Sequence, residues 1–168
     1  MRRRLAAVLL ALPALAACDG APVSPPAGAV ADRIVVEKAA RRMHLQRAGV
    51  TLKTYRISLG RNPAGHKQQE GDSRTPEGRY VIDAHNPQSR FHLSLRISYP
   101  NAEDRRRAAA RGVSPGGDIF IHGLPNGTTS GAFFSGRDWT DGCIAVTNAE
   151  IREIWAMVKD GTPIEIRP

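Results

Sequence analysis

Short β-type runs separated by turn residues are the feature that most limits what this chain can fold into. The two runs that flank Ala48-Gly49 alternate apolar and polar residues, which is the pattern of a β-hairpin. Residues 60–78 are rich in glycine, proline and polar side chains, and they predict a long loop or a series of turns. The β-type runs occupy residues 34–36, 43–47, 50–59, 79–84, 91–98, 118–122 and 163–166.

Only two segments have the pattern of a helix. Residues 102–111 follow Asn101, a good N-cap, and stop at Gly112, while a second helix opens at Thr147 or Asn148. The arginines of the first helix predict a solvated face (Arg105, Arg106, Arg107 and Arg111). Because strands outnumber helices and the helices come late, we expect a mainly β fold, a mixed β-sandwich or barrel-like domain with short helices at its edge.

The N-terminus reads as a targeting segment. Three arginines at residues 2–4 precede a run without polar side chains, residues 5–17, that is too short to span a bilayer permanently. We therefore predict a signal peptide over residues 1–17. It ends in Leu15-Ala16-Ala17-Cys18, which resembles the lipobox of bacterial lipoproteins, and the resemblance implies a lipid on Cys18. The alternative is an ordinary secretory signal, because Ala14-Leu15-Ala16 also fits a small-x-small cleavage site.

Residues 18–31 are rich in proline, glycine and alanine, which is typical of a tether, so the folded domain is expected over residues 32–168. Asp19 resembles the signal that holds lipoproteins at the inner membrane. The expected location is the periplasm, with a lipid anchor in the inner membrane. A soluble periplasmic or secreted protein is the alternative.

The charge and the cysteines narrow the function. The chain carries +8, and the loss of residues 1–17 with their three arginines leaves a basic domain of +5. Export and the lack of interleaved aromatic and basic residues argue against a nucleic-acid partner. If Cys18 is lipidated or removed, Cys143 stays unpaired in an oxidising compartment, which suggests a chemical use, although a buried cysteine that merely packs is the alternative.

A nucleophilic thiol needs a base, and His122 is the best placed candidate. It ends an apolar strand immediately before Gly123, whereas the other histidines lie in positions without a local motif (His44, His66, His85 and His92). The Gly142-Cys143 turn could leave backbone N–H groups free to stabilise an oxyanion. By themselves a histidine and a cysteine at this spacing have little specificity.

Two ordered motifs add that specificity. In the first motif His122-Gly123 is followed by Thr140-Asp141-Gly142-Cys143-Ile144, with seventeen residues between His122 and Thr140, and then by Asn148. Upstream, residues 71–80 read Gly-Asp-Ser-Arg-Thr-Pro-Glu-Gly-Arg-Tyr. Both motifs resemble those of the YkuD-type L,D-transpeptidase family, specifically its ErfK/YafK-like branch, and the likeness extends from about Ile34 to the C-terminus.

The resemblance implies a cysteine acyl-enzyme. Cys143 would attack a peptide carbonyl, and His122 would take the thiol proton and later pass it to the leaving amine. The carbonyl of Gly123 would orient the imidazole, and the amides of Gly142 and Cys143 would form the oxyanion hole. Family members act on peptidoglycan tetrapeptide stems, where they cleave after diaminopimelate and transfer that residue to an amine. No metal or cofactor is implied.

Two departures from the family pattern concern the substrate. Asp141 stands where many members have histidine, and it should either oppose thiolate formation or bind a substrate ammonium. Ala145 stands where many have an arginine that holds a substrate carboxylate, so Arg137 could supply that charge or be a surface arginine. We therefore predict that Asp141, Arg137 and Thr140 contact substrate. The insert, residues 124–139, is either a mobile lid or a loop pinned by aromatic packing.

Three functions remain open at this point. The first is a transpeptidase that makes cross-links or attaches a protein, such as a wall-linked lipoprotein, to the wall. The second is a hydrolase with the same acyl-enzyme, either an L,D-carboxypeptidase or an amidase that releases wall-linked protein. The third is a non-catalytic lipoprotein that binds the wall.

Overall fold

The computed structural model describes residues 28–168, which form eight strands and two short helices. The predicted signal peptide, Cys18 and most of the predicted tether lie outside the described residues. In chain order the elements are β1 (Arg33–Glu37), β2 (Arg42–Arg47), β3 (Val50–Arg56), β4 (Gly78–Asn86), β5 (Ser94–Ile97), α1 (Ala102–Ala110), β6 (Phe120–His122), β7 (Ile144–Ala145), α2 (Asn148–Met157) and β8 (Pro163–Arg167).

All eight strands belong to one sheet, in the order β3-β2-β1-β8-β4-β5-β6-β7. The pairs β1–β8 and β6–β7 are parallel, and the others are antiparallel. The sheet curls into a half-barrel, and its two ends meet where the chain beyond β3 pairs with β7: Ser58 and Ala145 exchange N–H···O bonds of 2.9 Å. The prediction of a mainly β, barrel-like fold with short helices is therefore confirmed.

Alternation along the strands builds the core. In β2, Met43 and Leu45 are fully buried while their neighbours face outward, and β1 is buried at three successive positions because it lies between β2 and β8. The predicted hairpin forms with Ala48 at φ 49° and Gly49 at φ 79°, in the left-handed region that such turns require. Packing begins before Asp32, since Ala31 is buried and its N–H donates to the Met157 carbonyl (2.8 Å).

The helices begin where the sequence predicts. Asn101 caps α1 by accepting from the N–H groups of Glu103 and Asp104, and the Asp104 carboxylate accepts in return from the Asn101 N–H (2.9 Å). Thr147 and Glu150 form the same reciprocal cap on α2. These caps satisfy N–H groups that the first turn of a helix leaves unpaired. The four arginines of the first helical segment are exposed, as a solvated face requires. Among the described residues, neither helix is long and apolar enough to cross a membrane.

The sequence pattern predicts two strands that start too early, and it does not reveal β7. The run 91–98 becomes a strand only at Ser94, because His92 has φ 67°, and the run 118–122 becomes a strand only at Phe120, because Asp118 has φ 54°. Both angles are left-handed and break a β-ladder. β7 has two residues, which is too short for a sequence period to show.

Candidate active site

Parallel pairing of β6 with β7 brings His122 and Cys143 together. Ile121 lies opposite Ile144 and His122 opposite Ala145, so Cys143 stands one step before β7, beside Phe120. Side chains two residues apart in a strand share a face, and this face carries Phe120 and His122 on β6 and Cys143 next to them. The predicted base and nucleophile are twenty-one positions apart in the sequence, and strand pairing makes them neighbours in one sheet.

Both side chains line one open cavity of about 460 Å³. The imidazole of His122 is buried at 3% exposure, whereas Cys143 is half-buried and faces the opening. Two aromatic rings pack on the imidazole, that of Phe91 at 4.5 Å and that of Trp139 at 5.6 Å between centroids. The base is therefore held rigidly at the wall of the cavity, while the thiol can be reached from outside.

Backbone contacts fix the tautomer of His122. Its Nδ1 lies 2.7 Å from the carbonyl oxygen of Gly123, and because a carbonyl only accepts, Nδ1 carries the proton. Nε2 is then the nitrogen that can take a proton from a nucleophile. Burial lowers the pKa of His122 to about 4, although the bond to the Gly123 carbonyl opposes this shift. The imidazole is consequently neutral at physiological pH and available as a base.

Asn148 explains why a glycine follows His122. Its Oδ1 accepts from the Leu124 N–H at 2.8 Å and lies only 2.6 Å from where a Cβ on residue 123 would stand. Any side chain there would displace the amide that fixes the chain after β6. The His-Gly and Asn positions of the motif thus form one physical unit.

The thiol of Cys143 is protonated at rest. Burial raises its pKa to about 11, and the carboxylates of Asp141 and Asp118 raise it further, while the Phe120 backbone N–H and the Lys67 ammonium act in the opposite direction. The thiol is 3.5 Å from the Asp118 carbonyl, to which it can donate. The expectation that a carboxylate at residue 141 opposes thiolate formation agrees with these shifts. Thiol and imidazole are therefore both neutral at rest.

Thr140 stabilises the turn that precedes Cys143. Its side chain is buried and its Oγ1 donates to the Cys143 carbonyl (2.7 Å) and accepts from the Gly142 N–H (3.1 Å). The Gly142 amide, a predicted oxyanion donor, is thus engaged within the turn. We find Thr140 beneath the turn rather than in the wall of the cavity.

The upstream motif supports this turn from below. Gly142 has φ 132°, and a Cβ on it would lie 2.6 Å from the Arg74 carbonyl oxygen. Gly60, on the strand extension beyond β3, packs against the same segment: a Cβ there would lie 2.1 Å from the Ser73 carbonyl oxygen. Thr75, which is fully buried, accepts from the Gly60 N–H at 3.1 Å. The two sequence motifs therefore meet in space, backbone against backbone.

Two buried lysines fix the long loop that carries the upstream motif. Lys38 donates to the carbonyls of Gly65 (2.7 Å) and Thr75 (3.0 Å) and to Glu77 (2.7 Å), and desolvation lowers its pKa. Lys67 pairs with Asp72 at 2.9 Å. These bonds hold the loop of residues 61–77 in place although it contains no helix or strand.

The other predicted substrate residues lie outside the cavity wall. Asp141 is exposed and forms an ion pair with Arg61, which stands across the bridge between Gly60 and Thr140. Arg137 is exposed on the insert, where its guanidinium lies 5.4 Å from the ring centre of Phe133. Neither residue lines the cavity that Cys143 and His122 share.

The insert is fixed at both of its ends. Asn126 bonds to the loop before β5, accepting from the His92 N–H at 2.9 Å, and Asp138 pairs with Arg41 (2.7 Å) and accepts from the Leu59 N–H (2.9 Å). Aromatic rings connect its middle to the catalytic wall, Phe134 packing on Trp139 at 4.8 Å. A second cavity of about 250 Å³ lies between the insert and α2.

Sequence reasoning missed the opposite wall of the cavity. Ser89, Arg90 and Phe91 come from the loop before β5, and Asp118 from the residues before β6. These positions carry no motif, and the run 91–98 reads as a strand. Only the left-handed turn at His92 carries Phe91 away from the sheet and onto the imidazole. Residues 28–168 include no group of three or more histidine, cysteine or acidic side chains placed to hold a metal ion.

Residues 31–166 match the YkuD family of L,D-transpeptidase catalytic domains. The chain belongs to this family. The resemblance drawn from the two motifs is thereby confirmed, and the match begins at Ala31, which is buried. In this YkuD domain His122 is the last residue of β6, and Cys143 stands one residue before β7.

Known relatives agree with this assignment. The curated protein named "Putative L,D-transpeptidase YafK" of Escherichia coli K12 is 34% identical over 110 residues, which are 64% of this chain and 37% of that protein. The chain thus spans well under half the length of this relative. The helical cell shape determining protein Pgp2 from Campylobacter jejuni is 23% identical with a TM-score of 0.61, over 80% of this chain and 46% of Pgp2.

An L,D-transpeptidase from Xylanimonas cellulosilytica has the same architecture. Its TM-score is 0.53 at 14% identity, over 85% of this chain and 63% of that chain. At such identities the structural likeness concerns the fold. This chain therefore shares its fold with the two solved structures, while the substrate has to be argued from the site.

Proposed function

We propose that this YkuD domain is a peptidoglycan L,D-transpeptidase that acts through a Cys143 acyl-enzyme on diaminopimelate-containing stem peptides. The observation that carries the proposal is the pairing of a reachable thiol with a buried imidazole whose Nδ1–H is bound to the Gly123 carbonyl (2.7 Å) in the same cavity. This pairing has the parts that acyl transfer needs: a nucleophile, a neutral base and a group that orients the base.

The first half-reaction forms a thioester. As Cys143 Sγ bonds to the peptide carbonyl carbon, its proton passes to His122 Nε2, and the carbonyl oxygen becomes an oxyanion. Collapse of this intermediate breaks the C–N bond, and the imidazolium returns the proton to the leaving amine. The enzyme then holds the diaminopimelate acyl group on sulfur and His122 is neutral again.

The second half-reaction uses the same proton path in reverse. An acceptor amine attacks the thioester, gives its proton to His122 and forms a new amide, and the sulfur leaves and regains the proton as a thiol. With water as acceptor the product is a free carboxylate. The hydrolytic alternative, an L,D-carboxypeptidase or an amidase that releases wall-linked protein, therefore differs only in the acceptor, and the half-exposed Cys143 leaves the thioester within reach of water.

The thiol of Cys143 and the imidazole of His122 are both neutral before substrate binds, and this determines how the thiol is activated. A thiol of pKa about 11 beside an imidazole of pKa about 4 does not form an ion pair spontaneously. Proton transfer must therefore accompany attack on a bound carbonyl rather than precede it. This keeps an unpaired cysteine protonated and slow to oxidise in an oxidising compartment until substrate arrives.

We also propose that the domain works at the periplasmic face of the inner membrane, held by a lipid on Cys18. The support is the sequence resemblance to a lipobox and the proline-rich tether, which lie outside the described residues. Cys18→Ser should move the full-length protein from the membrane to the soluble fraction, and unchanged fractionation would count against the anchor.

Product analysis tests the activity. Domain protein from residue 28 onward is incubated with purified tetrapeptide muropeptides and with protein-linked peptidoglycan, beside Cys143→Ala and His122→Gln variants, and products are weighed by mass spectrometry. Cross-linked dimers are expected, together with a covalent adduct on Cys143 in the wild type. Shortened or released species without dimers would indicate the hydrolase, and products that persist with Cys143→Ala would refute the nucleophile and leave the wall-binding alternative.

A further inference from the structure

The cavity that holds Cys143 contains two opposite charges. Asp118 and Arg90 both line it, and His122 adds no charge because its pKa is near 4. Within residues 28–168, Arg90 is the one lining side chain with a permanent positive charge. A site that binds an anionic peptide needs a positively charged group, and here that group comes from the loop before β5, where the sequence has no motif.

Arg90 is held at this wall by its backbone. The Asn126 N–H donates to the Arg90 carbonyl (2.9 Å), the Asn126 side chain donates to the Ser89 carbonyl (3.0 Å), and the Phe91 N–H donates to Ser89 Oγ (3.0 Å). The next ring along the chain, Phe91, packs on His122. The loop therefore has a fixed position relative to the catalytic base.

The guanidinium of Arg90 is exposed and uncommitted. In the described part of the chain it forms no hydrogen bond or ion pair, whereas other exposed arginines are engaged, Arg96 with Asp83 and Arg107 with Glu103. An arginine without a partner at the wall of a reactive cavity keeps its five donors for a ligand.

The other positions that could supply a positive charge to the substrate either have no charged side chain or hold an arginine that already contacts another side chain. Ala145, at the position where many family members carry an arginine, is buried at 3% exposure. Arg137 lies over the Phe133 ring on the insert, and Arg61 is paired with Asp141. None of these side chains lines the cavity.

We infer that Arg90 is the residue that binds a carboxylate of the acyl-donor peptide and thereby fixes the scissile carbonyl beside Cys143. This inference rests on the proposed function. Two carboxylates of a stem tetrapeptide flank the scissile bond, that of the terminal leaving residue and the free one at the side-chain end of the diamino acid, and one of these two is the proposed ligand. Both have the same chemistry for a guanidinium, and the Asp118 carboxylate repels either of them towards Arg90.

Chemically blocked donors distinguish the two carboxylates. Steady-state kcat/KM is measured for three tetrapeptides: the native one, one with its terminal carboxylate amidated, and one with the side-chain carboxylate of the diamino acid amidated. Each is tested with the wild type, Arg90→Gln, Arg90→Lys and the control Arg79→Gln, whose side chain is exposed on β4 and outside the cavity.

Loss of a charged hydrogen bond should lower kcat/KM of Arg90→Gln on the native donor by about tenfold to a hundredfold. Arg90→Lys should recover part of this loss, because lysine keeps the charge without the bidentate fork. Arg79→Gln should show no measurable loss. When the carboxylate that Arg90 binds is amidated, the kcat/KM of the wild type should fall to the value that Arg90→Gln shows on the native donor. Arg90→Gln should then lower kcat/KM on this amidated donor no further.

Two results would overturn the inference. Arg90→Gln could match Arg79→Gln on the native donor, or it could lose equally on all three donors, which would indicate a structural role. In both cases the wild type remains active, so the proposed function stands. If the wild type is as inactive as Cys143→Ala on every donor, the proposed function fails and this inference fails with it.

Discussion

Gly60→Ala tests the close backbone packing between the two sequence motifs. A Cβ on residue 60 would lie 2.1 Å from the Ser73 carbonyl oxygen and 2.8 Å from its carbon, far inside contact distance. Both are backbone atoms, and the same oxygen accepts from the Asn62 N–H at 3.1 Å, so it cannot move aside without losing that bond. The fold must instead shift one backbone segment against the other.

The expected cost is large for a single methyl group. Overpacking a well-packed core costs about 1–3 kcal/mol, and a clash between two backbone segments should reach or exceed about 3 kcal/mol. For a domain of this size that corresponds to a fall in Tm of roughly 10 °C, at about 3 °C for each kcal/mol. Because a Cβ on residue 60 would also lie 3.1 Å from the Cα of Gly142, the turn before Cys143 should be displaced as well.

Gly117→Ala is the matched control. A Cβ there would meet nothing closer than Pro100 Cδ at 3.9 Å, which is ordinary contact. Its free energy of unfolding should change by less than about 1 kcal/mol, and towards stabilisation, because alanine restricts the unfolded chain. Urea unfolding followed by tryptophan fluorescence gives both values. Equal midpoints for the two variants would refute the claim that Gly60 is required by close backbone packing.

Three further predictions concern the thiol, a buried ion pair and the insert. Alkylation of Cys143 by iodoacetamide should accelerate about tenfold for each pH unit up to about pH 10, because the thiol pKa near 11 leaves little thiolate at neutral pH; a plateau near pH 7 would contradict the neutral pair. Lys38→Met should cost about 3–5 kcal/mol in urea unfolding, since it leaves Glu77 and two carbonyls without their partner, and a loss below about 1 kcal/mol would refute this role. Asp138→Ala should release the end of the insert from Arg41 and speed its cleavage by trypsin; cleavage at the wild-type rate would show that aromatic packing alone holds it.

The pKa of His122 also makes stability depend on pH. Its folded-state pKa of about 4 lies below the ordinary 6.5, so the unfolded chain binds the proton first and stability is lost as the pH falls from about 6.5 through 4. The loss amounts to about 3 kcal/mol at about 1.4 kcal/mol for each pKa unit. His122→Gln should remove this part of the pH dependence in urea unfolding, and parallel profiles for the two proteins would contradict it.

Local patterns explain why so much of the fold could be predicted. The caps at Asn101 and Thr147 and the hairpin at Ala48-Gly49 depend on neighbouring residues only, and strand periodicity depends on which face is buried. The predicted strand starts at residues 91 and 118 were wrong because His92, directly after the first, and Asp118, at the second, have left-handed backbone angles. Residue type alone does not reveal that conformation. β7 is recognised only through its partners, since it forms by pairing with β6 and with the extension of β3.

The sequence by itself determined the family and the mainly β class, and it predicted Cys143 as nucleophile and His122 as base, because short motifs and local chemistry carry that information. Tertiary structure alone decided what surrounds them. Burial makes the thiol and the imidazole a neutral pair, Gly60 and Gly142 exist for backbone packing against the upstream motif, and Arg90 reaches the cavity from a loop without a motif. These properties depend on desolvation and on contacts between residues that are distant in the chain. Local sequence patterns reveal neither the desolvation nor these contacts.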